Sequence, residues 1–111
     1  KSDKTNFIIN ISEDGWFGNS IGPYQHFSHS IFRAIEEGKN IIRASNNGIS
    51  AYIDSNGIII DKLESTHKGV IEINNYKNSK RTFFSKFGNK IFFYFILFYI
   101  SLLFFTYKRK R

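Results

Sequence analysis

Residues 6–27 read NFIINISEDGWFGNSIGPYQHF, and this stretch decides the fold. Its first part, residues 6–11, is β-rich and mostly apolar, as a buried strand is. The next part, residues 12–24, holds four residues that favour turns, namely Gly15, Gly18, Gly22 and Pro23. Because Pro23 also suits the first turn of a helix, the stretch predicts a strand, a loop and the start of a helix.

The pattern that follows predicts a helix and then a sheet. Apolar residues recur at helical spacing, and a glycine is placed to stop the helix: Phe27, Ile31, Ala34, Ile35 and Gly38. Four further β-rich runs, some separated by tight turns, lie at residues 41–44, 49–53, 58–60 and 70–73. One helix covers one face of such a sheet, so the sequence predicts half of a sandwich that further polypeptide completes.

The composition bounds the class of protein. The 111 residues suit one modest domain, and 16 Lys and Arg against 9 Asp and Glu give a net charge of +7. The chain contains no Cys, which excludes disulfides, thiolate metal sites and a cysteine nucleophile. It contains no Met and begins with Lys1, so we expect a piece of a longer or processed protein.

Residues 91–107 carry no charge and consist mainly of Phe, Ile, Leu and Tyr. At ~1.5 Å per residue they span about 26 Å, slightly less than the ~30 Å hydrocarbon core of a membrane. Basic residues flank the segment on both sides, which favours a membrane over nucleic acid as the partner. A transmembrane helix is predicted, with a buried core helix or an interfacial helix as the alternative. The flanking charges are nearly balanced and do not fix its orientation.

The chain thus divides into four parts. Residues 1–75 form an α/β globular part, and residues 76–90 form a basic linker rich in Lys, Asn and Ser. The apolar segment at residues 91–107 and a basic tail at residues 108–111 follow. This order predicts a globular domain attached to a membrane anchor.

Three motifs lie in the globular part: E-D-G-W-F-G-N-S-I-G-P-Y-Q-H-F at residues 13–27, R-A-I-E at 33–36 and R-A-S-N-N-G at 43–48. In this order they resemble the apolipoprotein N-acyltransferases of the nitrilase, or carbon-nitrogen hydrolase, superfamily, whose loop reads N-D-A-W-F-G. The resemblance runs from residue 7 to residue 73, and the final helix agrees with the family's last membrane span. Glu13 and Gly15 replace the family's Asn and Ala, which bears on the loop's geometry and on acceptor preference.

The resemblance implies a fold and a reaction. It implies the C-terminal part of a four-layer αββα nitrilase-type sandwich, on the periplasmic side of a bacterial inner membrane, with a cytoplasmic C-terminus. The reaction passes an acyl chain from a phospholipid, through a Cys thioester, to the N-terminal diacylglyceryl-cysteine of an apolipoprotein. The family's Glu-Lys-Cys triad precedes the W-F-G loop. No catalytic residue is therefore carried over, and the chain is expected to be inactive alone.

Five residues are candidates for substrate binding: Trp16, Phe17, Gly18, His26 and Arg43. The aromatic pair suits a wall or lid for an acyl chain, with packing beneath the loop as the alternative. Capping or packing is the alternative for His26. Arg43, in an apolar strand, either pairs with a buried carboxylate or carbonyl, or faces a lipid phosphate.

Four residues are predicted to act structurally: Arg33, Glu36, Asn46 and Gly48. Arg33 and Glu36 are helical i,i+3 neighbours and can pair. Asn46 and Gly48 belong to a tight turn that needs residues tolerant of positive φ. His26 and His29 lack a further ligand that would complete a metal site, so neither a metal nor a cofactor is predicted.

Other functions remain open on the sequence. A non-catalytic tail-anchored protein would bind anionic lipid through its basic linker, or the chain is the remnant of a decayed gene. A soluble amidase is disfavoured by the final helix. The enzyme hypothesis expects a Cys codon and further membrane spans upstream of Lys1, whereas a start codon directly before Lys1 would favour the others.

Overall fold

A computed structural model describes residues 5–76 and 81–110. Its elements, in chain order, are β1 (Phe7–Glu13), α1 (Gly22–Glu37), β2 (Asn40–Asn46), β3 (Ser50–Ile53), β4 (Ile59–Leu63), α2 (Phe83–Phe87) and α3 (Lys90–Arg109). A single 3-10 turn, Gly15–Phe17, lies between β1 and α1. The fold is therefore of the mixed α/β class that the sequence predicts.

The strands form one sheet in the order β1-β2-β3-β4. β1 and β2 are parallel, with Phe7 opposite Asn40 and Glu13 opposite Asn46, and α1 makes the crossover between them. The later strands pair antiparallel with their neighbours. Asn47, at φ 55°, turns the chain between β2 and β3, which confirms the predicted hairpin.

The core lies between α1 and the sheet. It consists of Phe27, Ala34, Ile41, Ile49, Ala51 and Ile53, with Ile8 and Ile31 packed against it. Pro23 stands in the first turn of α1, and Gly38 ends the helix in the left-handed conformation at φ 61°. The predicted helix is confirmed, with Pro23 at its start and Gly38 at its end as expected.

Two sequence predictions about elements are wrong. β1 continues to Glu13, so Ser12 and Glu13 are in the strand rather than in the loop, because β2 offers them hydrogen-bonding partners. Residues 70–73 form no strand. Ile71 and Ile73 instead line, with Ile42 and Tyr52, a depression of about 220 Å³. They lie against the face of the sheet rather than beside an edge, where a ladder would form.

The predicted basic linker, residues 76–90, contains a short helix. Part of the linker forms α2, because Thr82 accepts a hydrogen bond from the Ser85 amide at 3.1 Å and so caps the helix. Residues 77–80 of the predicted linker lie outside the described residues. The linker is therefore helical where it meets the apolar segment.

In the described parts of the chain, the second face of the sheet is open where β1 forms it, although Ile71 and Ile73 lie against Ile42 and Tyr52 farther across the same face. Along β1 the side chains of Ile9 and Ile11 are 61% and 83% exposed, while Ile8 between them contacts the core. Ile58 and Ile60 are more than half exposed at the other edge. Such apolar surface requires a partner. The four-layer sandwich that would supply one stays a prediction.

α3 has 20 residues, of which 18 in succession have a mean hydropathy of 1.8 and none of these 18 is buried, so the helix is long and apolar enough to cross a membrane. It begins at Lys90 and ends at Arg109, slightly beyond the predicted bounds of 91–107. Because none of its span packs against the globular part, the buried-core alternative does not hold for the described chain.

We expect residues 1–75 to aggregate when expressed without the rest of the chain, because the outer face of β1 is apolar and open. Ile9→Ser together with Ile11→Ser should increase the soluble fraction, measured by centrifugation and size-exclusion chromatography. Phe27→Ser, which disrupts the core, is the matched control and should decrease it. A monomeric, cooperatively melting wild-type segment would contradict the open-face account.

Candidate functional site

The W-F-G loop follows directly from β1. The Asp14 amide donates a hydrogen bond to the Asn46 carbonyl at 2.9 Å, so the first loop residue is still tied to β2. The 3-10 turn then carries Trp16 and Phe17, and Gly18, at φ 56°, reverses the chain toward α1. Trp16 is 85% exposed and Phe17 is 40% exposed. The loop therefore presents aromatic surface from a firmly anchored base.

The base of this loop is a buried ion pair between Asp14 and Arg43. Arg43 Nη2 lies 2.8 Å from Asp14 Oδ2, and both side chains are fully buried. Arg43 comes from the middle of β2, where the register places its backbone opposite Asn10 of β1. A buried charge requires both a counter-ion and hydrogen bonds, and this pair supplies the counter-ion.

The remaining Arg43 donors are also satisfied. Nε donates to the Ile49 carbonyl at 3.1 Å, and Nη1 donates to Asn10 Oδ1 at 3.0 Å and to Ser30 Oγ at 3.2 Å. One guanidinium thus joins β1, α1 and the residue that precedes β3 to the loop. A planar group with five donors can do this, whereas a lysine ammonium cannot.

His26 holds the other Asp14 oxygen. Its Nδ1 lies 2.7 Å from Asp14 Oδ1, and its ring lies 5.7 Å from that of Phe17. An ionised carboxylate only accepts, so Nδ1 carries the proton and donates. His26 therefore links the first helical turn to both the carboxylate and the aromatic loop.

The pKa of Asp14 is lowered despite its burial. Burial is the largest influence and raises the pKa, but hydrogen bonds from Ser12 and His26, together with the Arg43 charge, outweigh it. The carboxylate is consequently ionised at neutral pH.

A second carboxylate, that of the exposed Glu13, also stabilises the loop. Glu13 accepts hydrogen bonds from Asn46 Nδ2 at 2.5 Å and from the Gly15 amide at 2.7 Å, and these, with the Asn46 bond foremost, lower its pKa. Gly48 lies so close to Asp14 that a Cβ there would collide with the carboxylate. The turn at Asn46–Gly48 therefore packs closely against the carboxylates of both Glu13 and Asp14.

Ser12, His26 and Asp14 resemble a hydrolytic triad by residue type but not by geometry. Ser12 Oγ donates to Asp14 Oδ1 at 2.6 Å, and it lies 3.4 Å from Nδ1 of His26. The serine and the aspartate therefore both lie at Nδ1 of His26. In a catalytic triad, by contrast, one ring nitrogen contacts the serine and the other contacts the aspartate. The cluster is suited to positioning rather than to nucleophilic attack.

A cavity of about 600 Å³ adjoins the loop, lined in part by Gly15, Gly18, Tyr24 and Asn47. Farther along α1, Arg33 contacts the part-exposed Glu36 at 3.5 Å and the buried Glu37 at 3.6 Å. Among the residues the structure covers, no group of three or more His, Cys, Asp or Glu side chains could hold a metal ion. Of the predicted substrate residues, Gly18 lines the cavity, and His26 and Arg43 meet at Asp14.

A family model for carbon-nitrogen hydrolases matches residues 1–74. The chain belongs to the carbon-nitrogen hydrolase family. Relatives named apolipoprotein N-acyltransferase are similar to it: that of Wigglesworthia glossinidia brevipalpis is 46% identical over 99 residues, and that of Rickettsia bellii is 44% identical over 103 residues. These matches cover 87% and 92% of the chain but only 20% of each relative.

A third relative of the same name, from Pasteurella multocida, is 54% identical over 56 residues, which is 50% of the chain and 11% of the relative. The chain thus spans about a fifth of the length of the relatives that it matches most fully.

Sequence reasoning missed Asp14, which is the centre of the candidate site. It also missed Asn10, Ser12 and Ser30, which satisfy Arg43. An available signal was the lone charge at Arg43 in an apolar strand, because such a charge requires a buried carboxylate and Asp14 lies at the end of the adjacent strand.

Asp14→Asn should destabilise the chain in detergent micelles by about 3 to 5 kcal/mol at neutral pH, since it leaves the Arg43 charge buried without a counter-ion. A lowered pKa means that this stabilisation is complete above the ordinary Asp pKa of about 3.9 and is lost as pH falls through the folded-state pKa. The difference between wild type and variant in the urea midpoint, followed by circular dichroism, should therefore vanish at low pH. Glu13→Gln, at an exposed position, should change the midpoint much less. Equal midpoints for wild type and Asp14→Asn at pH 7 would contradict the role of the pair.

Proposed function

We propose that the chain is the C-terminal part of an apolipoprotein N-acyltransferase, which moves an acyl chain from a phospholipid to the N-terminal diacylglyceryl-cysteine of lipoproteins. Two observations support this: the relatives that bear that name, and the exposed G-W-F turn held on a buried Asp14–Arg43 pair. The first observation carries the proposal, and the second fits it, because aromatic side chains beside a cavity suit an apolar ligand.

In this proposal the chain does not carry the nucleophile. Acyl transfer through a thioester requires a Cys, and the sequence has none. The triad of Glu, Lys and Cys would come from upstream polypeptide. The globular part then supplies one wall of the acyl-chain site and the layer against which the rest of the domain packs.

The candidate residues take two kinds of role. Trp16, Phe17 and Gly18 form the wall, since they lie in the exposed turn or line the adjoining cavity. His26 and Arg43 act on the substrate through the loop, because their polar groups are engaged with Asp14. These two are positioning residues.

The structural residues hold this arrangement together. Asn46 and Gly48 shape the turn that meets Asp14 and Glu13, and the Arg33–Glu36 pair stabilises α1, which presents His26. α3 anchors the domain by crossing the bacterial inner membrane, with the globular part periplasmic and the C-terminus cytoplasmic. No cofactor takes part in this proposal.

A chimera tests the proposal. Residues 7–73 of this chain replace the aligned segment in the Rickettsia bellii relative, and acyl transfer from phospholipid to a lipoprotein substrate is measured. We expect the chimera to retain acyl transfer. Trp16→Ala in the chimera should reduce turnover roughly tenfold or more, since a buried aromatic contact contributes about 1.5 to 3 kcal/mol.

Phe32→Ala is the matched control, because Phe32 is an exposed aromatic on α1 away from the loop. It should leave turnover unchanged, and the thermal stability of both variants should equal that of the chimera. A folded chimera without acyl transfer would overturn the proposed function. Unchanged turnover in Trp16→Ala would remove Trp16 from the site.

A further inference from the structure

The short helix α2 connects the globular part to the apolar helix and contacts both. It lies between α1 on one side and α3 on the other. Thr82, which caps α2, also donates a hydrogen bond from its hydroxyl to the Glu36 carbonyl in the last turn of α1. α2 is therefore docked on the globular part rather than loosely tethered to it.

α2 and the first part of α3 enclose an apolar groove of about 510 Å³, which we call the aromatic groove. Phe83 and Phe87 form one side of it, with ring centroids 4.6 Å apart, and both side chains are exposed. α3 forms the other side through four residues at helical spacing, namely Ile91, Tyr94, Phe95 and Phe98. Apart from the Tyr94 hydroxyl, these six side chains carry no polar group, so the aromatic groove requires an apolar partner.

The position of the aromatic groove along α3 indicates which partner that is. Its α3 side runs from Ile91 to Phe98, a distance of about 10 Å at ~1.5 Å per residue, and begins directly after Lys90. In the proposed crossing of the membrane, Lys90 lies at the surface and this part of α3 occupies the outer third of the ~30 Å hydrocarbon core. Phe83 and Phe87 line the same groove and therefore face acyl chains.

The charged residues beside the aromatic groove fit the same placement. Lys86 and Lys90 are both exposed, and a lysine can lay its stem along apolar side chains while its ammonium group stays among lipid headgroups. The sequence contains no Asp or Glu after Glu72, so no carboxylate has to be dehydrated at this end of α3. Aromatic residues together with lysines are typical of segments at a membrane interface.

We propose that α2 lies in the membrane interface, with Phe83 and Phe87 inserted among the acyl chains of the leaflet next to the globular part. The partner is the hydrocarbon of the bilayer rather than a particular headgroup. The inference rests on the proposed crossing of the membrane by α3 and not on acyl transfer. Because Thr82 joins α2 to α1, the inserted helix holds the globular part against the membrane surface.

Fluorescence quenching by brominated lipid tests the inference. Trp16 is the single tryptophan of the chain, so Trp16→Phe gives a background into which one reporter at a time is introduced. The full chain is reconstituted in phosphatidylcholine vesicles with and without bromine on the acyl chains. We expect the fluorescence of Phe87→Trp to fall roughly twofold or more in the brominated vesicles, because an inserted side chain contacts the acyl chains directly.

Two further reporters serve as controls. Ile60→Trp, at an exposed position on β4 at the sheet edge opposite β1, should be quenched much less. Phe98→Trp, within α3, should be quenched as strongly as Phe87→Trp. Quenching of Phe98→Trp without quenching of Phe87→Trp would overturn the insertion of α2, and quenching of neither would overturn it together with the crossing of α3. Equal quenching of Ile60→Trp would overturn it in favour of general adsorption.

The same measurement at a tenfold lower ratio of protein to lipid separates the bilayer from a second copy of the chain. Contact with lipid predicts the same quenching of Phe87→Trp at both ratios. A second copy seated in the aromatic groove would shield the reporter at the higher ratio, so quenching that rises on dilution would overturn lipid as the partner. Because the readout is contact with acyl chains, its failure is distinguishable from a failure of acyl transfer in the chimera.

Discussion

The buried contact between Asp14 and Arg43 is the constraint on which the rest of the globular part depends. It lies where β1 ends, β2 passes and the loop begins, so it fixes three segments at one point. An unpaired guanidinium in this position would be strongly destabilising, and the surrounding polar residues are explained by the need to satisfy it. Asn10 and Ser30 accept its hydrogen bonds, and Gly48 leaves room for its counter-ion.

The pair also explains how the exposed turn can be ordered. Trp16 has little contact with the globular part, so packing of its own side chain does not hold it. Its position follows from neighbours on both sides: Asp14 before the turn, and His26 after it, which contacts both Asp14 and Phe17. The loop combines a rigid base with an exposed tip, which is the usual arrangement for residues that contact a ligand.

Much of the fold follows from local signals in the sequence. Pro23 and Gly38 bound α1, and the turn at Asn47 gives the β2–β3 hairpin, because these residues act through their own backbone preferences. α2 was missed because five residues are too few to show a periodicity. Residues 70–73 alternate like a strand, but alternation does not reveal whether an edge is available for pairing.

The candidate site was less predictable for a related reason. Asp14 and Arg43 are 29 positions apart, and their contact depends on the parallel register of β1 and β2, which no local pattern encodes. The sequence identified Arg43 as a charge in need of a partner but not the partner itself. By contrast, the flanking glycines Gly15 and Gly18 are enough to predict that Trp16 and Phe17 lie in a loop. The composition alone predicts the apolar helix.

Hydrogen exchange in a double-mutant cycle tests the central claim most directly. The amides of residues 15–18 are compared in the chimera, in Asp14→Asn, in Arg43→Met and in the double variant. If the pair holds the loop, each single variant speeds this exchange strongly and the double variant adds little, which gives a coupling of roughly 1 to 3 kcal/mol. Additive effects of the two substitutions, or unchanged exchange in either single variant, would contradict the account.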